Sequence, residues 1–369
     1  MRPDRRLACL VVALATSGAC TADFLPASLI VNDRVIAVTA EPPEATPGAS
    51  VTLTPTVVGV AGTLASTSFT SDWWRCPDSD SDALGDYDQC TVPADRRDIA
   101  SGTPYVDSVP ADIFGALPPP RTPPPADGSS TLSSDKALGA ILGYWRVVGF
   151  TMSAGERHVD AFKREPIYLP GHLGDVDPRF AAVDSHVDDN GNDIAPNSNP
   201  TISNVLLHEG KVDGATKSTL SSSKTYFFDP VYDARTLQSY ISLKVDLTGL
   251  DLTSTSGPAS VASQSIDDLV KRFSKVQRCE IPTFSWFATA GRFDRDSTVD
   301  ESVVASIFDP EGVDCPAIEG EPRVPQVSYA PPTGAAGDEK PKDGVVHAWV
   351  VMRDGRGGTA VKSFDFKVE

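Results

Sequence analysis

After residue 32 the alternation of apolar and polar positions dominates the chain and predicts strands far more often than helices. Across residues 50–57, Val51, Leu53 and Val57 fall on one face and Ser50, Thr52, Thr54 and Thr56 on the other. A period of two sets one face on a core and leaves the other to solvent. Residues 240–247 repeat the pattern, with Ile241, Leu243, Val245 and Leu247 opposite Tyr240, Ser242, Lys244 and Asp246. Further strands are expected at 34–40, at 68–76 with Phe69, Trp73 and Trp74, at 202–208, and at 284–290 around Trp286. Adjacent strand positions face opposite ways, so one of Trp73 and Trp74 is expected in the core and at most one at the surface. Two strand pairs look like hairpins: 141–152 with 157–169 across a Ser-Ala-Gly-Glu turn, and 345–352 with a last strand to Val368 across the Gly-rich stretch 353–358.

Helical spacing is rare. Ile266, Leu269, Val270 and Phe273 stand at i, i+3, i+4 and i+7, and Ser265 with Asp268 forms a capping box, which predicts a crossover helix over 265–275. A shorter helix is expected over 110–117, capped by Ser108. It lies within residues 77–135, which also carry the acidic run 78–88 and a Pro-rich run 118–125 and read as an insertion between strands. Residues 171–200 are rich in Pro, Gly, Asn and Asp and read as an acidic linker. The expected organisation is therefore mainly β: one β-sandwich domain over 32–170, interrupted by 77–135, the linker 171–200, and a second sandwich over 201–369 with a helical insertion. A weak internal repeat supports it, since a Tyr-Trp-Arg-Val-Val strand at 144–148 and an Ala-Trp-Val-Val strand at 348–351 each open a Gly-containing hairpin ending in Phe-Lys.

The first twenty residues follow another rule. Arg2, Arg5 and Arg6 precede an apolar run over 7–16, and Ser17-Gly18-Ala19 leads into Cys20, the layout of a lipoprotein signal. Residues 1–19 are then the removed signal, Cys20 the acylated first residue, and 20–31 a short tether. Ser17 stands where such signals usually carry Leu, and Thr21, rather than Asp, follows the cysteine. The latter points to the outer membrane or cell surface. The other cysteines that would remain, Cys76, Cys90, Cys279 and Cys315, allow three disulfide connectivities, and proximity favours Cys76 with Cys90 and Cys279 with Cys315. Zinc has no Cys-x-x-Cys or adjacent His to hold it.

Charge changes the list of partners. The chain has 32 basic and 50 acidic residues, and removing residues 1–19, with three Arg and one Asp, takes the net charge from −18 to −20. Such a surface repels phosphate backbones and anionic lipid alike, so nucleic acid is not an expected partner and attachment to a membrane rests on the acyl chains. The partners left are the membrane through its lipid anchor, and another envelope protein or a glycan.

Residues 35–56, with Ala40-Glu41-Pro42-Pro43-Glu44 and Pro47-Gly48-Ala49-Ser50-Val51-Thr52-Leu53, resemble the opening strands of immunoglobulin-like modules of bacterial surface lipoproteins. Phe284-Ser285-Trp286-Phe287 and the hairpin from Val350 to Gly358 resemble mid-domain and final hairpins of Ig-like or PKD-like repeats. The resemblance implies two-sheet sandwiches on a cell surface and transfers no catalytic residue.

Candidate chemistry is sparse. Asp188, Asn190 and Asp193 cluster hard oxygens around Gly191 and are the candidate calcium ligands, although with Gly191 at the sixth position of an EF-hand loop the first falls on His186 and the twelfth on Asn197. The five histidines at 158, 172, 186, 208 and 347 lie in no His-Glu-x-x-His or Gly-x-Ser-x-Gly frame. The expected function is a lipid-anchored, non-catalytic structural or binding protein of the cell envelope, with no cofactor unless calcium binds. An extracytoplasmic hydrolase with its site in the insertion 77–135 is the alternative, motivated by the length of that insertion.

Overall fold

The computed structural model describes residues 26–75, 96–113, 141, 143–169, 173–176, 178–188, 190–209, 219–232, 239–246, 248, 265–280, 282–299 and 326–369. The chain is mainly β, in two Ig-like sandwiches. In the first, β1 (Arg34–Glu41), β2 (Ser50–Gly59), β3 (Gly62–Thr63) and β6 (Tyr105–Ser108) form one sheet, with β2 at its centre. The facing sheet runs β5 (Arg97–Ser101), β4 (Thr70–Arg75), β7 (Tyr144–Ala154), β8 (Arg157–Ile167). The chain lays β1, β2 and the short β3 in one sheet, crosses for β4 and β5, returns for β6 and crosses back for the closing hairpin, which is the Ig-type connectivity. The period-two face of β2 does what its spacing predicts: Val51, Leu53 and Val57 are buried against Trp73, Phe150 and Met152 of the opposite sheet. Strands β5 and β6 lie inside the expected insertion 77–135, so part of that stretch is integral to the sandwich. Residues 111–113 form a turn where the helix over 110–117 was expected to begin.

The second sandwich repeats the route. One sheet is ordered β15 (Arg292–Phe293), β17 (Val327–Ala330), β11 (Tyr226–Tyr232), β9 (Ile202–Glu209). The other is ordered β10 (Thr219–Leu220), β19 (Thr359–Val368), β18 (Val345–Arg353), β14 (Thr283–Ala288), β16 (Ser297–Val299), with β10 parallel to β19. Phe228 centres its core, with ring centroids 5.3 Å from Tyr329, 5.4 Å from Phe366 and 5.7 Å from Phe293. The Tyr329 hydroxyl donates to the Ala290 carbonyl at 2.7 Å and packs so closely on Gly291 that a Cβ there would stand 2.3 Å from it.

A ribbon of β12 (Ser239–Val245) and β13 (Phe273–Cys279) stands apart from both sheets. It corrects the helix expected over 265–275. The capping box is real, with the Asp268 amide donating to Ser265 Oγ at 3.1 Å, but the helix ends at Val270 and Phe273 begins a strand. A single turn of helix gains little by itself, whereas residues 273–279 gain a seven-residue antiparallel ladder with 239–245.

The two sandwiches lie side by side. Val38 and Ala40 of β1 face the first core, while Ile36 and Ala37 face the other way and, with Val58, pack on Trp349 and Val351 of β18. The contact runs the length of the strands: Trp349 Nε1 donates to Thr63 Oγ1 at 2.9 Å at one end, and Arg356 pairs with Glu44 at 2.8 Å at the other. Residues expected as tether and linker join this block. Ile30 is buried, its amide donates to the Ala288 carbonyl at 2.8 Å, and Ala288 returns a bond to Ser28, so residues 28–30 extend the β14 sheet. Within 171–200, the short helix Leu173–Val176 and the 3-10 turn Pro178–Val183 bury Leu173, Phe180 and Val183.

Candidate functional site: a cationic cleft at the junction

The junction is polar where the strands end. Asp354 turns back into its own hairpin, accepting from the Arg356 amide at 2.8 Å, the Gly358 amide at 2.9 Å and Asn197 Nδ2 at 3.1 Å. Glycine is required at 358, because a Cβ there would sit 1.9 Å from Asp354 Oδ2. That hairpin aims the Arg356 guanidinium between Glu44 at 2.8 Å and Glu280 at 3.0 Å, one carboxylate from each sandwich. His186 stands between Glu44 at 3.7 Å and Asp184 at 3.5 Å. Burial opposes its charge, yet the facing carboxylates of Asp184 and Glu44 outweigh burial and raise its pKa to about 9. Burial likewise works against the Glu44 carboxylate, and His186, Arg356 and the Asn197 amide more than offset it, holding Glu44 below its ordinary range.

Beside this cluster opens a cleft of about 560 Å³, lined by residues 35–38 of β1, 161–164 of β8, Arg353, Gly355 and residues 357–359. Strands β1 and β8 are the outermost strands of their sheets, so the cleft follows the open seam of the first sandwich and the second sandwich closes its third side. Lys163 is 8% exposed, and its Nζ donates to the Gly357 carbonyl and to Thr359 Oγ1 at 3.2 Å. Arg353 donates to Ser285 Oγ at 3.1 Å and to the Ile36 carbonyl at 3.3 Å. All four acceptors are neutral. Among the described residues, neither cation has a carboxylate oxygen within 4.0 Å. Burial lowers the Lys163 pKa to about 8, the Arg353 charge adds to that, and Asp354 and Glu165 offset part of it. Arg353 is lowered too, by burial.

A second charged group lies inside the first sandwich. Asp107 of β6 is fully buried, pairs with Arg75 of β4, and lies 2.8 Å from Arg146 Nη1 of β7, without the alignment of a hydrogen bond to the latter. Glu165, opposite Arg146 in the β7–β8 register, is 3.7 Å from the same nitrogen. Burial first, and then the Asp107 charge, raises Glu165 to about 8, so this carboxyl is largely protonated at neutral pH. The group ties the two sheets together and opens to no cleft described here.

Of the residues singled out in the sequence, Cys20, Cys76, Cys90 and Cys315 lie outside the described residues; Cys279 ends β13 opposite Ser239. Asp188 Oδ1 accepts from the amides of Asn190 and Asn192, both at 2.8 Å, and Oδ2 from Asn192 Nδ2 at 2.9 Å, while Asp193 bridges back to Val187. The Asp188 carboxylate thus closes its own turn. Among the described residues, no group of three His, Cys, Asp or Glu side chains is arranged to hold a metal ion. Ser153 Oγ lies 2.8 Å from His158 Nδ1 on the exposed β7–β8 hairpin, and the nearby Asp160 bonds instead to Thr151 and Arg96. Both tryptophans of β4 are buried, within the expectation of at most one at the surface: alternation puts Trp73 in the core and Trp74 on the other face, where it is covered over Gly149 and under Arg96 at 4.0 Å. Lys163 and Arg353 carried no signal in the sequence. They are single cations 190 positions apart that only the packing of two domains brings to one cleft.

No protein-family model and no curated protein matches the chain. Among solved structures, it is similar to a chimeric titin Z1Z2-Z1Z2 tandem, at 9% identity and a TM-score of 0.21, over 91% of this chain and 99% of that one. It is also similar to murine CEACAM1b, at 8% identity and a TM-score of 0.18, over 92% of this chain and 100% of that one. A third similarity is to latent PorU from Porphyromonas gingivalis, at 11% identity and a TM-score of 0.19, over 92% of this chain and 24% of that one. No helix among the described residues is long and apolar enough to cross a membrane.

Proposed function

We propose that the chain is a lipid-anchored, non-catalytic protein of the cell envelope, acylated on Cys20 and held at the outer membrane or cell surface, where its paired sandwiches serve as a structural or binding module. The observation that carries this reading is the docking of residues 28–30 on β14, which leads the chain from the lipoprotein-type sequence at Cys20 straight into a block built of two Ig-like sandwiches. An anchor there holds both sandwiches at once. The chemistry on display is in keeping with binding: the junction histidine stands between two carboxylates, and the cleft presents two cations whose hydrogen-bond acceptors are neutral.

The test is Cys20→Ala expressed with the full leader in a bacterial host fed a labelled fatty acid. The wild-type protein is expected to take up label and sediment with membranes, and the variant to do neither. Label retained by the variant, or a wild-type protein without label, overturns the anchor.

A further inference from the structure

A buried lysine and a half-buried arginine that share one cleft and, among the described residues, have no carboxylate oxygen within 4.0 Å are an unusual outcome in a chain of net charge −18. Moving a charge out of water is costly unless an opposite charge or a full set of hydrogen bonds accompanies it. Lys163 uses two of its three ammonium donors, on Gly357 and Thr359, and Arg353 two of its five, on Ser285 and Ile36. The nearest acidic neighbour in sequence, Asp354, has its oxygens turned to the Arg356 and Gly358 amides and to Asn197. Both residues line a space of about 560 Å³, within the range that encloses small molecules. Part of its wall is apolar, from Val35, Ile36, Val38 and Ala161.

We propose that this cleft binds a small amphiphilic carboxylate, its head between Lys163 Nζ and the Arg353 guanidinium and its apolar body along Val35–Val38 and Ala161. The planar guanidinium fork fits a carboxylate, the ammonium adds a second positive charge, and the apolar wall favours an organic body over an inorganic ion. The site depends on the sandwich junction alone, so it stands or falls independently of acylation at Cys20.

The test is calorimetric titration of the full chain at pH 7 with four probes: octanoate, octanol, octylamine and inorganic phosphate. Octanoate is expected to bind saturably and at least about tenfold more tightly than octanol, octylamine not at all, and phosphate more weakly than octanoate. Arg353→Gln is expected to weaken octanoate about tenfold with an unchanged circular dichroism spectrum. Equal affinity for octanoate and octanol, phosphate bound as tightly as octanoate, no saturation by about 10 mM octanoate, or a folded Arg353→Gln that binds like wild type would each overturn the proposal. If Arg353→Gln does not fold, Ala161→Phe decides: a side chain filling the apolar wall must weaken octanoate, and undiminished affinity sinks the site.

Discussion

His186 shows how one residue acquires a role from its neighbours. The groups facing it are Glu44, Asp184 and the Tyr168 ring, 4.8 Å away, with Arg356 behind Glu44. Its folded pKa of about 9 lies above its ordinary 6.5, so its contribution to stability is complete below pH 6.5 and is lost as pH rises through 9. Glu44 and Asp184 are held below their ordinary 4.5 and 3.8, so their contribution is lost as pH falls through their lowered folded values. The stability difference between wild type and His186→Asn, from urea midpoints, is therefore expected to be largest near pH 6 and to shrink between 6.5 and 9; a difference that stays constant over that interval contradicts the assignment. The sequence placed His186 only at a position that a calcium loop would need for a carboxylate. One partner, Asp184, is two residues away, but the other, Glu44, comes from far along the chain and nothing local announces it. Trp74 teaches the same lesson, because its burial depends on Gly149, where a Cβ would stand 2.0 Å from the indole.

Among the elements, β6 is short and most dependent on tertiary contacts. It pairs with β2 over four residues, and Asp107 is its bond to the opposite sheet through Arg75 and Arg146. Removing one partner of a buried pair leaves the others charged and uncompensated. Asp107→Ala is expected to lower unfolding free energy by about 3–5 kcal/mol, measured by urea denaturation, and a loss below about 1 kcal/mol would show that the arginines reach water instead. The periodic elements were legible where the alternation is local: Val51 and Leu53 of β2 are buried between more exposed neighbours, while β18 is buried at every position from 348 to 352 and was legible as an apolar run before a Gly-rich turn. The stretch 265–275 was not, since Phe273 satisfies helical spacing and strand alternation alike, and the arbiter is the partner strand at 239–245. Strands β5 and β6 escaped because short edge elements among turns carry little periodic signal.

At the scale of the molecule, side-by-side packing gives the block two different ends. One end holds the start of β1, where Arg34 donates to the Ala27 carbonyl, together with the β2–β3 turn and the exposed Val31 and Val60. The other holds Thr46, the 353–359 hairpin and His186. Six residue steps separate Cys20 from Pro26, a reach of at most about 21 Å. An anchored protein is thus expected to present the first end to the bilayer: a photo-crosslinking residue at Val60 should capture lipid and one at Thr46 should not, and the reverse result would invert the orientation. The sequence by itself determined the lipoprotein-type layout of the start, the acidic charge, the β class and the closing hairpins, because each is written in local composition or in a period of two. Tertiary structure alone decided that the sandwiches lie side by side, that 28–30 and 173–200 belong to the block, and that Lys163 and Arg353 share a cleft. Those facts depend on faces of β1 and β18 that are apolar on both sides, and no local pattern says which distant surface a second apolar face will meet.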